Sequence, residues 1–186
     1  MEYTELQNAL LFKSAIKNTE EFVLERKSIS LTPSAVRSGG DDEVDQNYRV
    51  SNQHTVEPEH SFVQTLRDIT EFANENYFKV NVSEYCNENH FIEYNVGGKF
   101  RYHNDLVWRH RVKDLDKTNI RKLSTICLLN DDYTGGKLAL FFRGKRYSFN
   151  FSRGDVLVFP AFVFHQVDPI DSGTRYSIIS WSTGVF

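Results

Sequence analysis

The sequence predicts an α+β chain that is mainly β, an antiparallel sandwich or jelly roll with N-terminal helices packed outside the sheet. Three observations lead there. From residue 88 onward apolar residues recur with period two, as in "HFIEYNV", where Ile92, Tyr94 and Val96 alternate with Glu93 and Asn95. The strand-like segments are short and mostly separated by Gly, Pro, Asp or Asn. No helical pattern interrupts them, which argues against a doubly wound parallel sheet.

At 186 residues the chain is long enough for one well-buried core and short for two. One domain over 1–186 is therefore expected, with helical support and a mobile loop in 1–80 and a jelly-roll core in 88–183. Along the chain, "YTELQNALLFKSAIKN" carries Leu6, Leu10, Leu11 and Ile16 at helix-like intervals. A clearer stripe follows in "EHSFVQTLRDITEFANENY", where Phe62, Leu66, Ile69, Phe72 and Ala73 share a core-facing helix surface that starts near Ser61. Between the two lies the polar segment 38–60, with a Gly pair and acidic residues at Asp41, Asp42, Glu43 and Asp45. Its first half reads as a mobile loop, long enough to act as a lid. The strands "RKLSTICLLN", "KLALFF", "KRYSFNF", "GDVLVFP", "FVFHQV" and "TRYSIISW" complete the pattern.

A formal net charge of −3 gives no overall basic footprint for nucleic acid. Two cysteines, Cys86 and Cys127, form no Cys-x-x-Cys pair and read as reduced thiols. The N-terminus carries acidic residues where a signal peptide needs positive charge. The longest apolar run, 156–164, is broken by Pro160 and is too short for a bilayer. A soluble, cytoplasmic protein without membrane contact is expected.

The chemistry centres on "FRYHNDLVW", residues 100–108. In a strand, side chains two apart project from one face, roughly 7 Å apart at Cα, so His103 and Asp105 could bind one metal ion together. Alone, the triplet reads rather as a surface His beside a surface Asp at a strand end. His165 follows an apolar approach in "FVFHQV" and is either a core histidine or a third ligand. In "TRYSIISW", alternation puts Arg175, Ser177, Ile179 and Trp181 on one face, and an arginine there is costly to bury without an anionic partner. Two imidazoles and one carboxylate suit non-haem Fe(II), although three protein ligands also serve catalytic zinc.

Taken in order, "YNVGGKFRYHND", "RKLSTICLLND", "GGKLALF", "GDVLVFP" and "HQVDPIDSGTRYSIISW" resemble the Fe(II)- and 2-oxoglutarate-dependent oxygenases, and within them the prolyl 4-hydroxylase branch. The resemblance runs from about Tyr94 to Trp181. It implies a double-stranded β-helix and a metal site of His103, Asp105 and His165. It also implies that Arg175, Ser177 and Tyr94 bind the distal carboxylate of 2-oxoglutarate, while Arg121, Trp181 and Arg49 contact substrate, Arg49 from "NYRVS" at the start of a covering loop. The implied cofactors are Fe(II), 2-oxoglutarate and O2, with ascorbate as a reductant. The implied partner is a peptide or protein containing proline. Leu128 stands where the branch usually carries a tyrosine, which removes one hydroxyl from the expected cosubstrate site. Alkylated-base-repair oxygenases carry a second arginine six residues after the first. Trp181 holds that position here, which argues against nucleic acid. A free amino acid or other small substrate, and a non-enzymatic jelly-roll binding module, are the alternative readings.

Overall fold

The computed structural model describes residues 2–38, 41–106 and 119–185. Two antiparallel sheets face one another. The larger has eight strands, in the spatial order Thr4–Glu5, Leu10–Phe12, Val156–Pro160, Asn119–Leu128, Arg175–Val185, Glu84–Tyr94, Asn52–Thr55 and Thr32–Pro33. Five strands make the smaller: Lys145–Ser148, Leu138–Phe142, Phe164–Val167, Lys99–His103 and Arg49–Val50. Non-consecutive strands lie side by side in both, as a jelly roll requires.

Period-two alternation divides the interior into two cores. On one face of the large sheet, Phe91, Cys127, Val156, Val158 and Ile178 pack with Phe62, Val63, Leu66, Ile69 and Ala73 of the helix Ser61–Ala73. On the other, Ile92, Tyr94, Ile126, Leu157, Phe159, Ile179 and Trp181 meet the small sheet. Neighbours in sequence thus serve different layers. The space between the sheets is the lumen in which polar side chains gather.

The apolar stripe of the second helix is as expected, and the helix starts at the expected Ser61. His60 is the N-cap, its ring accepting from the Phe62 amide at 3.1 Å. The first helical reading is corrected. Residues 4–5 and 10–12 are strands, and the helix lies later, at Thr19–Lys27. Leu10, Leu11 and Phe12 are all buried because they pair with Val158, Leu157 and Val156 and are covered on both faces. Gln7 and Asn8, both at positive φ, make the turn that helix periodicity conceals. Asp155, fully buried, fastens this segment through an ion pair with Lys13 and a hydrogen bond from the Ser14 amide at 2.8 Å.

In the 38–60 segment, the second half joins the sheets through Arg49–Val50 and Asn52–Thr55. A short hairpin pairs Val36–Ser38 with Asp41–Glu43. The side chains of Asp41, Asp42 and Glu43, like Val107 and Trp108 of the quoted motif, lie outside the described residues. Cys86 and Cys127 are buried and unpaired.

Two measurements test this layering. Phe91→Ala should cost about 3–5 kcal/mol in denaturant unfolding, because Phe91 is fully buried between the helix layer and the sheet. His90, one residue away, faces the lumen edge-on to Trp181 with centroids 5.4 Å apart. Burial, then the nearby Arg121 and Arg49, push its pKa down to about 4. The folded state therefore holds the neutral ring while the unfolded chain takes up a proton. Stability should be full above about pH 6.5 and fall as pH drops toward 4. His90→Gln should flatten that part of a Tm-against-pH curve.

Candidate metal centre and the lumen around it

His103 ends its strand and lies directly across from His165 in the ladder, with ring centroids 4.1 Å apart. Asp105 sits just past the strand end, its amide donating to the Ala161 carbonyl at 2.9 Å. Its carboxylate accepts from Ser124 Oγ at 2.7 Å. One donor atom from each of the three residues falls within 4.8 Å of the others. His103 Nε2 is 3.8 Å from Asp105 Oδ1, and His165 Nε2 is 3.6 Å from Oδ2.

Tautomers are set from behind. His103 Nδ1 faces the Arg101 carbonyl at 2.6 Å and His165 Nδ1 the Val163 carbonyl at 3.0 Å. A carbonyl can only accept, so each Nδ1 carries the proton and each Nε2 presents its lone pair to the centre. Burial, reinforced by His165, pushes the His103 pKa down to about 3, which keeps the ring a neutral donor. For Asp105 burial opposes ionisation, but His165, His103, Trp181 and Ser124 together hold its pKa below the ordinary carboxylate value. The indole N–H of Trp181 is buried without a hydrogen-bond partner of normal geometry, beside this carboxylate. Two neutral nitrogens and one ionised oxygen, each oriented by a second group, are a donor set that fits Fe(II).

The ladder orders the rest of the lumen. Arg175 pairs with Tyr94, Ser177 with Ile92 and Leu128, Ile179 with His90 and Ile126, and Trp181 with Glu88 and Ser124. Arg175, only 1% exposed, receives no carboxylate among the described residues. Its Nη1 donates to Ser177 Oγ at 2.9 Å, its Nε is unpaired, and its Cζ is 5.5 Å from the Tyr94 ring centroid. Gly136 makes room for it. At φ +57°, a Cβ there would come within 3.1 Å of Arg175 Cδ and 2.3 Å of Ile170 Cδ1. The structure thus brings Arg175, Ser177 and Tyr94 together, with Leu128 across from Ser177.

Further along, the Arg121 guanidinium lies 3.6 Å over the Trp181 ring and donates to Glu88, from Nε at 3.0 Å. Arg49 stands apart from that pair. It is 7% exposed and lies 4.6 Å over the Phe100 ring, which stacks on His103 at 3.5 Å. On the outer side of the small sheet Tyr102 stacks on Phe164 at 4.5 Å, behind the two imidazoles. Sequence reasoning missed Ser124, Glu88 and His90. Alternation alone could have found the first, since Ser124, Ile126 and Leu128 share a face.

Comparison with known proteins agrees with this geometry. The profile of the 2OG-Fe(II) oxygenase superfamily matches residues 89–183. A PKHD-type hydroxylase of Methylobacterium nodulans is 33% identical over 97 residues, 50% of this chain and 41% of that protein. One from Pseudomonas putida is 28% identical over 90 residues, 48% of this chain and 40% of its own. The chain thus spans less than half the length of these curated relatives. Among solved structures, a Pseudomonas putida prolyl-4-hydroxylase superposes with a TM-score of 0.71 at 21% identity, covering 95% of this chain and 93% of that one. The viral collagen prolyl hydroxylase of Paramecium Bursaria Chlorella virus-1 gives 0.70 at 14% identity, covering 96% and 97%. With half of its length matching the profile, the chain belongs to the 2OG-Fe(II) oxygenase superfamily.

Proposed function

We propose that the protein is an Fe(II)- and 2-oxoglutarate-dependent dioxygenase that hydroxylates a C–H bond, in the first instance of prolyl residues in a peptide or protein. The convergence of His103, Asp105 and His165, with donor atoms within 4.8 Å, carries this reading. PKHD-type hydroxylases among the relatives and prolyl hydroxylases among the structural neighbours support the prolyl substrate, one of the latter in complex with a peptide fragment. No helix of the described residues is long and apolar enough to cross a membrane.

Ferrous iron with 2-oxoglutarate and O2 supplies the oxidising power for hydroxylation and yields succinate and carbon dioxide. The chain's own groups bind, orient and exclude water. His103 and His165 would hold the metal through Nε2 and Asp105 through its carboxylate, with Ser124 fixing the latter. Arg175 would receive the distal carboxylate of 2-oxoglutarate, a buried charge-assisted contact for which its lack of an acidic partner among the described residues leaves it available. Ser177 and Tyr94, beside it, would add hydroxyl donors. Arg121 and Trp181 would line the substrate entrance, with Arg121 held by Glu88. Ascorbate would serve only to keep the iron reduced.

Two outcomes follow. His103→Ala or Asp105→Ala should abolish succinate formation and reduce bound Fe(II) in metal analysis, and full activity in either would reject the site. Arg175→Met should raise the KM for 2-oxoglutarate by at least about tenfold with metal content unchanged, since a buried charge-assisted pair is lost. A proline-containing peptide library incubated with Fe(II), 2-oxoglutarate and air, then read by mass spectrometry for one added oxygen, tests the prolyl assignment.

A further inference from the structure

We propose that Arg49 is the carboxylate receptor of the substrate half of the lumen, so that the molecule hydroxylated presents a carboxylate to its guanidinium. This deepens the oxygenase reading above and rests on it.

Three side chains carry the argument. Of the arginines buried in the fold, Arg26 pairs with Glu25, whereas Arg49 and Arg175 have no carboxylate partner among the described residues. Arg175 is assigned an anion by the cosubstrate. Arg49 is left with neutral acceptors only: Ser51 Oγ at 2.9 Å from Nε, the Ala35 carbonyl at 3.4 Å from Nη1, and Gln53 Oε1 at 3.1 Å from Nη2. A guanidinium has five N–H groups, and besides these three acceptors the hydroxyl of Tyr94, also neutral, lies against it. A carboxylate would replace such neutral acceptors with charge-assisted contacts, which are roughly twice as strong.

Placement distinguishes this site from the cosubstrate's. Arg49 lies over Phe100, whose ring stacks on the metal-facing His103, and reaches toward Tyr94, which also adjoins Arg175. Two buried cations therefore flank one phenol. When loaded, the double charge of the metal and the single charge of Arg175 are balanced by Asp105 and the two carboxylates of 2-oxoglutarate. Arg121 is neutralised by Glu88. Among the described residues the charge of Arg49 is then left over in the lumen, and leaving a buried cation unpaired is unfavourable. A substrate anion closes that balance. The carboxylate has two chemical sources, the α-carboxyl of an amino acid or chain terminus, or an acidic side chain beside the reacting residue.

The test is calorimetric titration of the full chain, saturated with Mn(II) and 2-oxoglutarate, with N-acetyl-L-proline, its primary amide, and the blocked dipeptide N-acetyl-aspartyl-prolinamide. We expect an acid-bearing probe to bind at least about tenfold more tightly than the neutral amide, the effect of one charge-assisted contact. Arg49→Gln should erase that preference, Arg49→Lys should keep part of it, and both should bind 2-oxoglutarate as the unaltered protein does. Preference for the first acid identifies a terminal carboxylate and for the dipeptide a side-chain one. Equal binding of acid and amide, no binding of any probe, or a loss of 2-oxoglutarate affinity as the main effect of Arg49→Gln would overturn the inference. The acid-against-amide comparison needs no variant, so it stands even if a substitution prevents folding. Failure of the unaltered protein to bind 2-oxoglutarate would instead remove the oxygenase reading itself.

Discussion

The direct cross-strand pairing of His103 with His165 is the constraint on which the rest depends. Two residues sixty-two positions apart become neighbours only when the small sheet holds its register, and a slip of one residue would turn an imidazole out to solvent. Everything else in the centre is adjustment around that pair. Carbonyls behind each ring choose the tautomer, and Ser124, delivered from the opposite sheet, fixes the acid. All three ligands thus come from the small sheet and its strand end, and the large sheet supplies the hydroxyl that holds the acid.

Electrostatics divide the lumen into roles. His103 and His90 are kept neutral chiefly by burial, while Asp105 is kept ionised against it. Arg121 is answered by Glu88 within the chain, and Arg175 and Arg49 are not answered among the described residues. Such an interior is poorly satisfied by the described side chains alone. The fold accepts that local cost because large apolar layers surround it, with Phe91, Ile178 and Leu66 on one side and Leu157, Phe159 and Ile179 on the other.

Much of this was legible in the sequence, and the reasons are physical. Alternation in "TRYSIISW" put Arg175, Ser177 and Trp181 on one face, and the ladder agrees. The stripe from Phe62 to Ala73 read as a helix because a single buried face leaves a clear period. By contrast, Leu10, Leu11 and Phe12 misled, because a short strand covered on both faces has no alternation to distinguish it from helix. Pairings such as Arg121 with Glu88, or Arg49 with Phe100, are set by register between distant strands and leave no mark in a single chain.

The aromatic stack on the solvent side of the small sheet has a consequence for how this centre can change. Tyr102 and Phe164 lie nearly parallel, with an interplanar angle of 7°, each adjoining in sequence one of the two imidazoles that point the other way. Cross-strand ring pairs of this kind contribute roughly 0.5–1.5 kcal/mol beyond their buried area. Ligand alignment is therefore braced from the outer face of the sheet. Drift at these two outer positions would alter metal retention without altering a single group in the pocket, so the chemistry inside is coupled to wear on the outside wall.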